Sequence, residues 1–173
     1  EEIHQPKDSR VTTQLVIVGG TDEVAGNPTN MLQIMAALVD RPVDLHDLDY
    51  PASVTISNPE GDLAGHSELE SRRIGLVNLK FHMDTVDTPV ILSGYSLGAL
   101  VVSDYLAERA AGLDGPPILA VVNIANPSRW EGDSYGMPSV GYGLDGPHPA
   151  WPAVPRYEIA NPADMITSAS KWT

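Results

Sequence analysis

Residues 90–106 read VILSGYSLGALVVSDYL, in which an apolar run, a Gly-x-Ser-x-Gly turn and an amphipathic segment follow one another directly. The apolar run predicts a buried strand, and the segment after the turn predicts a helix. A serine on the sharp turn between such a strand and helix stands above the sheet, next to the unpaired N–H groups that begin the helix. Ser96 is therefore a candidate nucleophile, and the alternative is a glycine-rich turn that carries a spectator serine.

Strands and helices alternate along the rest of the chain as they do around Ser96. This order predicts parallel βαβ units, and hence a three-layer α/β/α fold with a central, mostly parallel sheet of about five strands. We expect a single domain over residues 1–173, with a long loop rich in Gly, Pro and aromatic residues at 127–153. The predicted strands are 14–20, 41–51, 88–94, 116–127 and 154–162, and the predicted helices are 27–40, 67–84 and 96–112, with a further helical turn from Ala163.

Two of the predicted helices begin with capping signals. Asn27 is suited to the N-cap of the first helix, with Pro28 at the first helical position. Ser67 and Glu70 have the spacing of a capping box at the start of the second helix. These residues predict where the two helices begin.

The charge balance of the chain restricts its partners. There are 23 acidic and 10 basic residues, for a net charge of −13. A nucleic-acid binder needs a basic face, and so does a protein that docks on anionic lipid by electrostatics, so neither is expected. An uncharged lipid ester or glycolipid is easier to reconcile with this charge. No apolar run approaches the length of a membrane span.

The sequence indicates no metal and no cofactor. There is no cysteine, and therefore neither a disulfide framework nor a thiolate metal site. The five histidines are not spaced as a metal motif, and no calcium-loop pattern occurs. A phosphate-binding loop after the first strand is disfavoured, because no Gly-Lys-Ser/Thr follows and Asp22 and Glu23 would repel phosphate.

Two further segments place polar residues at the carboxyl ends of predicted strands. Gly20 and Thr21 end the first strand, where a second oxyanion donor is expected, although a plain turn is the alternative. Asp164 follows the last strand and fits the chain order Ser, acid, His of the α/β hydrolases. A lone Asp after Pro is also a common helix cap, and Asp145 is a weaker candidate acid.

The catalytic histidine is the hardest residue to find in this sequence. His4, His46 and His82 lie in a tail, in a strand and at a helix end, so structural roles are favoured for them. His66 and His148 lie in segments that reach the catalytic edge, and His148 is the candidate base. As triad members both would break the expected order, so a structural or substrate-lining role is the alternative.

Aromatic residues recur along the long loop. Trp130, Tyr135, Tyr142 and Trp151 either line an apolar cleft or pin the loop to the core. With His66, the two tryptophans are the candidate substrate-lining residues.

Six segments, taken in order, resemble the cutinase-like α/β hydrolases, and among them the lysin B branch of mycobacteriophages. They are VGGTDE (18–23), DYPAS (49–53), SELESRRIGLVNL (67–79), GYSLGALVV (94–102), ANPSR (125–129) and EIANPADMI (158–166). The resemblance implies that Ser96 is the nucleophile and Asp164 the triad acid, with Thr21 and the backbone N–H of Leu97 as the oxyanion hole. It also implies a mycolyl-arabinogalactan-type ester as substrate, and the absence of cysteine favours the phage branch over secreted cutinases.

The chain departs from this family at the histidine. In the family the catalytic His lies well after the acid, whereas residues 165–173 contain none. The chain is then a piece whose His comes from a missing C-terminal segment or another chain, or His148 or His66 substitutes, or the domain is an inactive cell-wall-binding or virion module. The first explanation is favoured. The chain has no signal peptide. The resemblance implies a phage-encoded protein, which we expect to act at the host envelope or to be carried in the virion.

Overall fold

The computed structural model describes residues 12–170 and contains five parallel strands. The strands are β1 (Gln14–Val18), β2 (Asp44–Asp47), β3 (Val90–Tyr95), β4 (Ile118–Ile124) and β5 (Arg156–Ile159), in the order β2-β1-β3-β4-β5. The central strand, β3, leads directly to Ser96. The predicted parallel sheet of five strands is therefore confirmed, and the carboxyl ends of its strands meet at one edge.

Helices cover both faces of this sheet, as predicted. Helix α1 (Met31–Ala36) packs on one face, whereas α2 (Glu68–Met83) and α3 (Leu97–Ala110) pack together on the other. The main core lies under α2 and α3, where alternate strand residues such as Val16 and Leu92 meet Val101 and Leu106, all fully buried. Between residues 12 and 170, no helix is long and apolar enough to cross a membrane.

The helix starts follow local hydrogen bonding. Ser67 and Glu70 form the predicted capping box of α2. The predicted start of α1 was wrong, since that helix begins only at Met31. The Asn27 side chain instead accepts hydrogen bonds from Thr29 in a tight turn, and Glu23 accepts the Met31 N–H at 2.8 Å. A carboxylate brought from an earlier turn thus replaces the cap expected from neighbouring residues.

The predicted helical segment after Ala163 forms one turn and does not continue. The Ser168 N–H donates to the Asp164 carbonyl at 2.8 Å, as in a helix. Ala169 then pairs with Tyr142 of the long loop in a short antiparallel bridge, which ends the turn.

The 127–153 loop has neither helix nor strand of its own, as predicted, and a buried arginine holds it in place. Arg129 has no exposed surface, and its guanidinium donates to carbonyl oxygens of Trp130, Asp133, Gly141 and Thr167. Unpaired carbonyls are costly to bury, so these hydrogen bonds stabilise the loop. The bonds to Thr167 also join the loop to the segment that carries Asp164.

Candidate active site

Ser96 occupies a strained turn between β3 and α3. Its φ of 50° and ψ of −116° lie outside the regions that non-glycine residues prefer, and its N–H donates to the Ile124 carbonyl at 2.9 Å. A Cβ on Gly94 would lie 2.8 Å from the Ala99 nitrogen, and one on Gly98 would overlap the end of β1. Glycines on both sides therefore allow the close approach that lifts Ser96 to the sheet edge.

Thr21 lines the same cleft as Ser96 and lies in a turn that Glu23 stabilises. The Glu23 carboxylate accepts the Gly20 N–H at 2.7 Å through one oxygen and the Met31 N–H through the other. The buried Tyr50 hydroxyl donates to the Gly19 carbonyl at 2.6 Å, and burial raises the pKa of Tyr50, so the phenol stays protonated. Local sequence patterns do not predict these contacts, since an acidic residue after a Gly-Gly-Thr turn indicates only that phosphate is repelled.

Ser96, Thr21 and Leu97 meet in one cleft of about 290 Å³. Leu97 begins α3, so its N–H belongs to the first turn, in which N–H groups have no partner within the helix. The other lining residues are mostly apolar: Val54, Glu68, Leu100, Pro127, Leu144, Asp145 and Ile166. The cleft thus combines a serine, a helix N-terminus and apolar walls that suit an uncharged acyl group.

The two charged residues among the lining groups share one arginine. Arg72 donates to Glu68 and to Asp145 at 3.0 Å each through the same nitrogen, and its other donors form a fork with Asp104 on α3. This network fixes one wall of the cleft by joining α2, α3 and the long loop. Asp145, which the sequence ranked below Asp164 as a catalytic acid, is therefore occupied by an ion pair.

Asp164 lies at the same edge but does not itself line the cleft. Its carboxylate accepts the Ile166 N–H at 2.9 Å and the Thr167 hydroxyl at 3.1 Å, while Ile166 lines the cleft beside Ser96. Asp164 therefore caps the turn that follows it, which is the alternative role that the sequence suggested for this residue. Each carboxylate oxygen still has a second lone pair with which to accept from an imidazole.

His148 is buried away from this cleft. It is 3 % exposed and stacks on Trp151 with ring centroids 3.6 Å apart. Its Nδ1 lies 2.7 Å from the Pro149 carbonyl, so it carries the proton there, and Trp130 donates instead to the His148 carbonyl at 3.1 Å. Burial lowers the pKa of His148, and its Nε2 is buried without a hydrogen-bond partner.

The other predicted lining residues also lie apart from the cleft. His66 is exposed and lines a separate hollow together with Glu60, Asp62 and Glu70. Its carbonyl accepts hydrogen bonds from the Thr55 N–H and the Ser53 hydroxyl, which hold the backbone there. Trp130 borders another hollow, and Trp151 packs against the main core.

The other described histidines do not reach the cleft either. His46 and His82 stack on each other with ring centroids 3.5 Å apart, and His4 lies outside the described residues. No described histidine lines the cleft. Residues 12–170 also contain no group of three or more His, Asp or Glu residues placed to hold a metal ion.

A buried carboxyl lies two strands from the nucleophile. Glu158 on β5 is 1 % exposed, and one of its oxygens accepts from the side-chain amides of Asn123 and Asn126. Its other oxygen is buried without a partner. Burial raises the pKa of Glu158 to about 7, the reverse of what paired carboxylates show.

Solved structures of known proteins share this architecture. Lysin B from Mycobacteriophage D29 aligns with 92 % of this chain and 68 % of its own at 17 % identity, with a TM-score of 0.67. Acetyl xylan esterase from Trichoderma reesei covers 94 % and 89 % at 17 % identity, with a TM-score of 0.64. A cutinase-like protein from Cryptococcus sp. covers 91 % and 79 % at 17 % identity, with a TM-score of 0.61.

These likenesses define the fold as that of the cutinase-like α/β hydrolases, as the sequence motifs predicted. No protein-family model matches the chain, and no curated protein matches it.

Proposed function

We propose that this protein is a serine ester hydrolase that works through an acyl-enzyme. The observation that carries the proposal is the strained Ser96 at the start of α3, in a cleft that it shares with Thr21 and Leu97. A strained serine between a strand and a helix is the arrangement of a nucleophile elbow. Two of the structures of like fold are of proteins named esterases or cutinase-like.

In the proposed reaction Ser96 Oγ attacks the ester carbonyl carbon while a base removes the hydroxyl proton. The carbonyl oxygen becomes an oxyanion, which the Leu97 N–H and Thr21 stabilise. The base then gives the proton to the departing alcohol, leaving an acyl group on Ser96, and water releases the acid by the reverse sequence. Asp164 orients the base and stabilises its charged form.

For the base we propose a histidine from a further C-terminal segment of the polypeptide or from another chain. The buried position of His148 supports a packing role, and the free lone pairs of Asp164 allow an incoming imidazole to be bound. A histidine that reached both Asp164 and Ser96 would complete the triad.

For the substrate we propose a lipid ester of the mycolyl-arabinogalactan type in the cell envelope of a phage host. The apolar cleft and the net charge of −13 support an uncharged, lipid-rich ester, and lysin B of a mycobacteriophage has the same fold. The protein then acts at the host envelope, after release or from the virion. Release of free long-chain acid from purified mycobacterial envelope, measured by mass spectrometry, tests this substrate.

A second candidate function is a non-catalytic module that binds the cell wall or builds the virion. The observation in its favour is that no described histidine lines the cleft. Without a working base, the oxyanion hole and binding alone leave about 10³–10⁴-fold catalysis over water, so such a domain would be nearly inert.

A fluorophosphonate probe separates these two functions. We expect the probe to label the wild-type protein on Ser96 when the segment or chain that supplies the histidine is present, and labelling to vanish in Ser96→Ala, because the phosphorus accepts only an activated serine. Intact-protein mass spectrometry measures the adduct. Ser134→Ala, which changes a serine in the long loop beside a different hollow, is the matched control and keeps the label. Absence of label in a protein that has a cooperative melting transition, with the source of the histidine present, would instead support the binding module.

His148→Phe tests the origin of the base. We expect this variant to keep the wild-type labelling rate, because phenylalanine preserves the stacking on Trp151 and both ring nitrogens lie away from the cleft. The substitution removes Nε2, which has no partner, and Nδ1, whose hydrogen bond to the Pro149 carbonyl is lost. Time-resolved mass spectrometry gives the rate, and a melting curve shows that the loop remains packed. A fall of more than about a hundredfold in a folded variant would identify His148 as the base after all.

A further inference from the structure

Two of the described residues that line the Ser96 cleft carry a charge, and both are acidic. Glu68 lies in the first turn of α2, and Asp145 lies in the long loop. Their side chains are 41 % and 39 % exposed, so both carboxylates are accessible to a molecule in the cleft. No lysine, arginine or histidine is among the described lining residues. An ester that reaches Ser96 therefore shares the cleft with two carboxylates and meets no cation on these walls.

Arg72 holds both carboxylates in place but does not neutralise them. One of its nitrogens donates to Glu68 and to Asp145, while the other two donate to Asp104 at 3.1 and 2.9 Å. Three carboxylates thus share one guanidinium, and this group of four side chains keeps an excess of negative charge. The Arg72 side chain is only 18 % exposed and is not among the lining residues, so a molecule in the cleft meets the carboxylates rather than the cation.

The start of α3 gives the same cleft a weaker attraction for anions. Leu97 begins α3, and the aligned peptide dipoles of a helix place about half a positive charge at its N-terminus. The negative excess around Arg72 is larger, because three full negative charges face one positive charge. Salt does not remove this repulsion, since a cleft of about 290 Å³ is narrower than the Debye length, which is about 10 Å in about 0.1 M salt. The balance of charges in the cleft is therefore against an anion.

We propose that Glu68 and Asp145 determine specificity by charge, so that the cleft admits uncharged esters and excludes esters with an anionic group beside the scissile bond. The apolar lining residues accept the carbon chain, and the two carboxylates decide which charge can accompany it. Half-esters of dicarboxylic acids then react poorly, although their chains fit. The assignment of Ser96 as the reacting group rests on the proposed function, whereas the charge preference is a property of binding and needs no turnover.

Equilibrium binding of octanamide and octanoate, which have the same chain length and differ in charge, tests the proposal without a catalytic base. An NMR titration that follows the backbone amides of Ser96 and Leu97 locates each ligand in the cleft and gives its dissociation constant. We expect the wild type to bind octanamide about tenfold more tightly than octanoate at low salt. The ratio of the two constants falls toward one in about 1 M salt, where the Debye length is about 3 Å.

The double variant Glu68→Gln/Asp145→Asn removes both charges and keeps on each side chain an oxygen that can accept from Arg72. We expect its ratio to be one or lower, because the start of α3 then attracts octanoate without opposition. The matched control is Glu60→Gln/Asp62→Asn, which changes the net charge of the protein equally at two acids of a separate hollow. This control keeps the wild-type ratio.

The proposal is overturned if the wild type binds octanoate as tightly as octanamide, if neither ligand shifts the amides of Ser96 and Leu97, or if both double variants lose the preference equally. The last result would assign the preference to net charge. The salt dependence is measured on the wild type, so it decides the matter even where Glu68→Gln/Asp145→Asn does not fold. Fluorophosphonate labelling, with the source of the histidine present, reads Ser96 separately. A charge preference without labelling would refute the esterase and keep the selective cleft, and labelling without a charge preference would do the reverse.

Discussion

Gly98→Ala is expected to abolish fluorophosphonate labelling and to destabilise the protein by about 3 kcal/mol or more. An added Cβ would overlap the backbone carbonyl oxygens of Val18 and Gly19, at the point where β1 enters the Thr21 turn. Backbone on both sides leaves no side chain that can move aside. The start of α3 must therefore shift away from β1, and this shift separates Ser96 and Leu97 from Thr21.

The matched control for this variant is Gly26→Ala. Gly26 has a φ of 79° and nothing within 4 Å of an added Cβ, so its substitution costs only backbone strain of about 1–2 kcal/mol and leaves labelling intact. Urea denaturation measures the free energy of unfolding, and mass spectrometry measures the label. A Gly98→Ala protein that unfolds and labels like the wild type would mean that α3 does not approach β1 as closely as described.

The parts of this fold that the sequence predicted are those set by local patterns. Apolar runs bounded by Gly and Pro locate all five strands, and Ser67 with Glu70 fixes the start of α2. The glycines around Ser96 are needed for a close backbone approach, so their spacing alone predicts the turn that carries this serine. The start of α1 was missed because its cap, Glu23, lies eight positions upstream.

The parts that the sequence did not predict depend on long-range polar contacts. Arg72 forms ion pairs with carboxylates of three segments, those of Glu68, Asp104 and Asp145. No local spacing in the sequence predicts such a network. Similarly, Arg129 reads as an ordinary surface residue in the sequence, yet it is buried and satisfies carbonyls of the long loop. The stacking of His148 on Trp151 joins near neighbours in sequence, but no spacing rule predicts it, and it keeps the candidate base out of the cleft.

Glu158→Gln is expected to make the protein more stable than the wild type above pH 7 and to have little effect near pH 4. The folded-state pKa of Glu158, raised by burial to about 7, exceeds its ordinary value of 4.5. A group whose pKa is raised on folding contributes stability that is complete below its unfolded value and is lost as pH rises through the folded value. That loss amounts to about 3 kcal/mol by pH 8.

The comparison with Glu158→Gln is needed because other groups titrate in the same range with the opposite sign. Burial lowers the pKa values of His46, His82 and His148, so their contribution falls as pH decreases and partly masks that of Glu158 in the wild type. The difference in unfolding free energy between wild type and variant, measured by urea denaturation from pH 4 to 8, cancels the histidines. Glu60→Gln, which removes an exposed charge, is the control.

A difference that stays flat from pH 4 to 8 would show that Glu158 ionises at its ordinary pKa and that its unpaired oxygen reaches water. A rising difference has a consequence for the site, because Asn126, which donates to Glu158, also accepts from Ser128 at the start of the long loop. Ionisation of Glu158 then places a buried negative charge next to the amide that holds the start of this loop, and Pro127 of the same loop lines the cleft. A buried charge with one unpartnered oxygen is costly, so the pH dependence of the unfolding free energy reports on the polar contacts behind this wall.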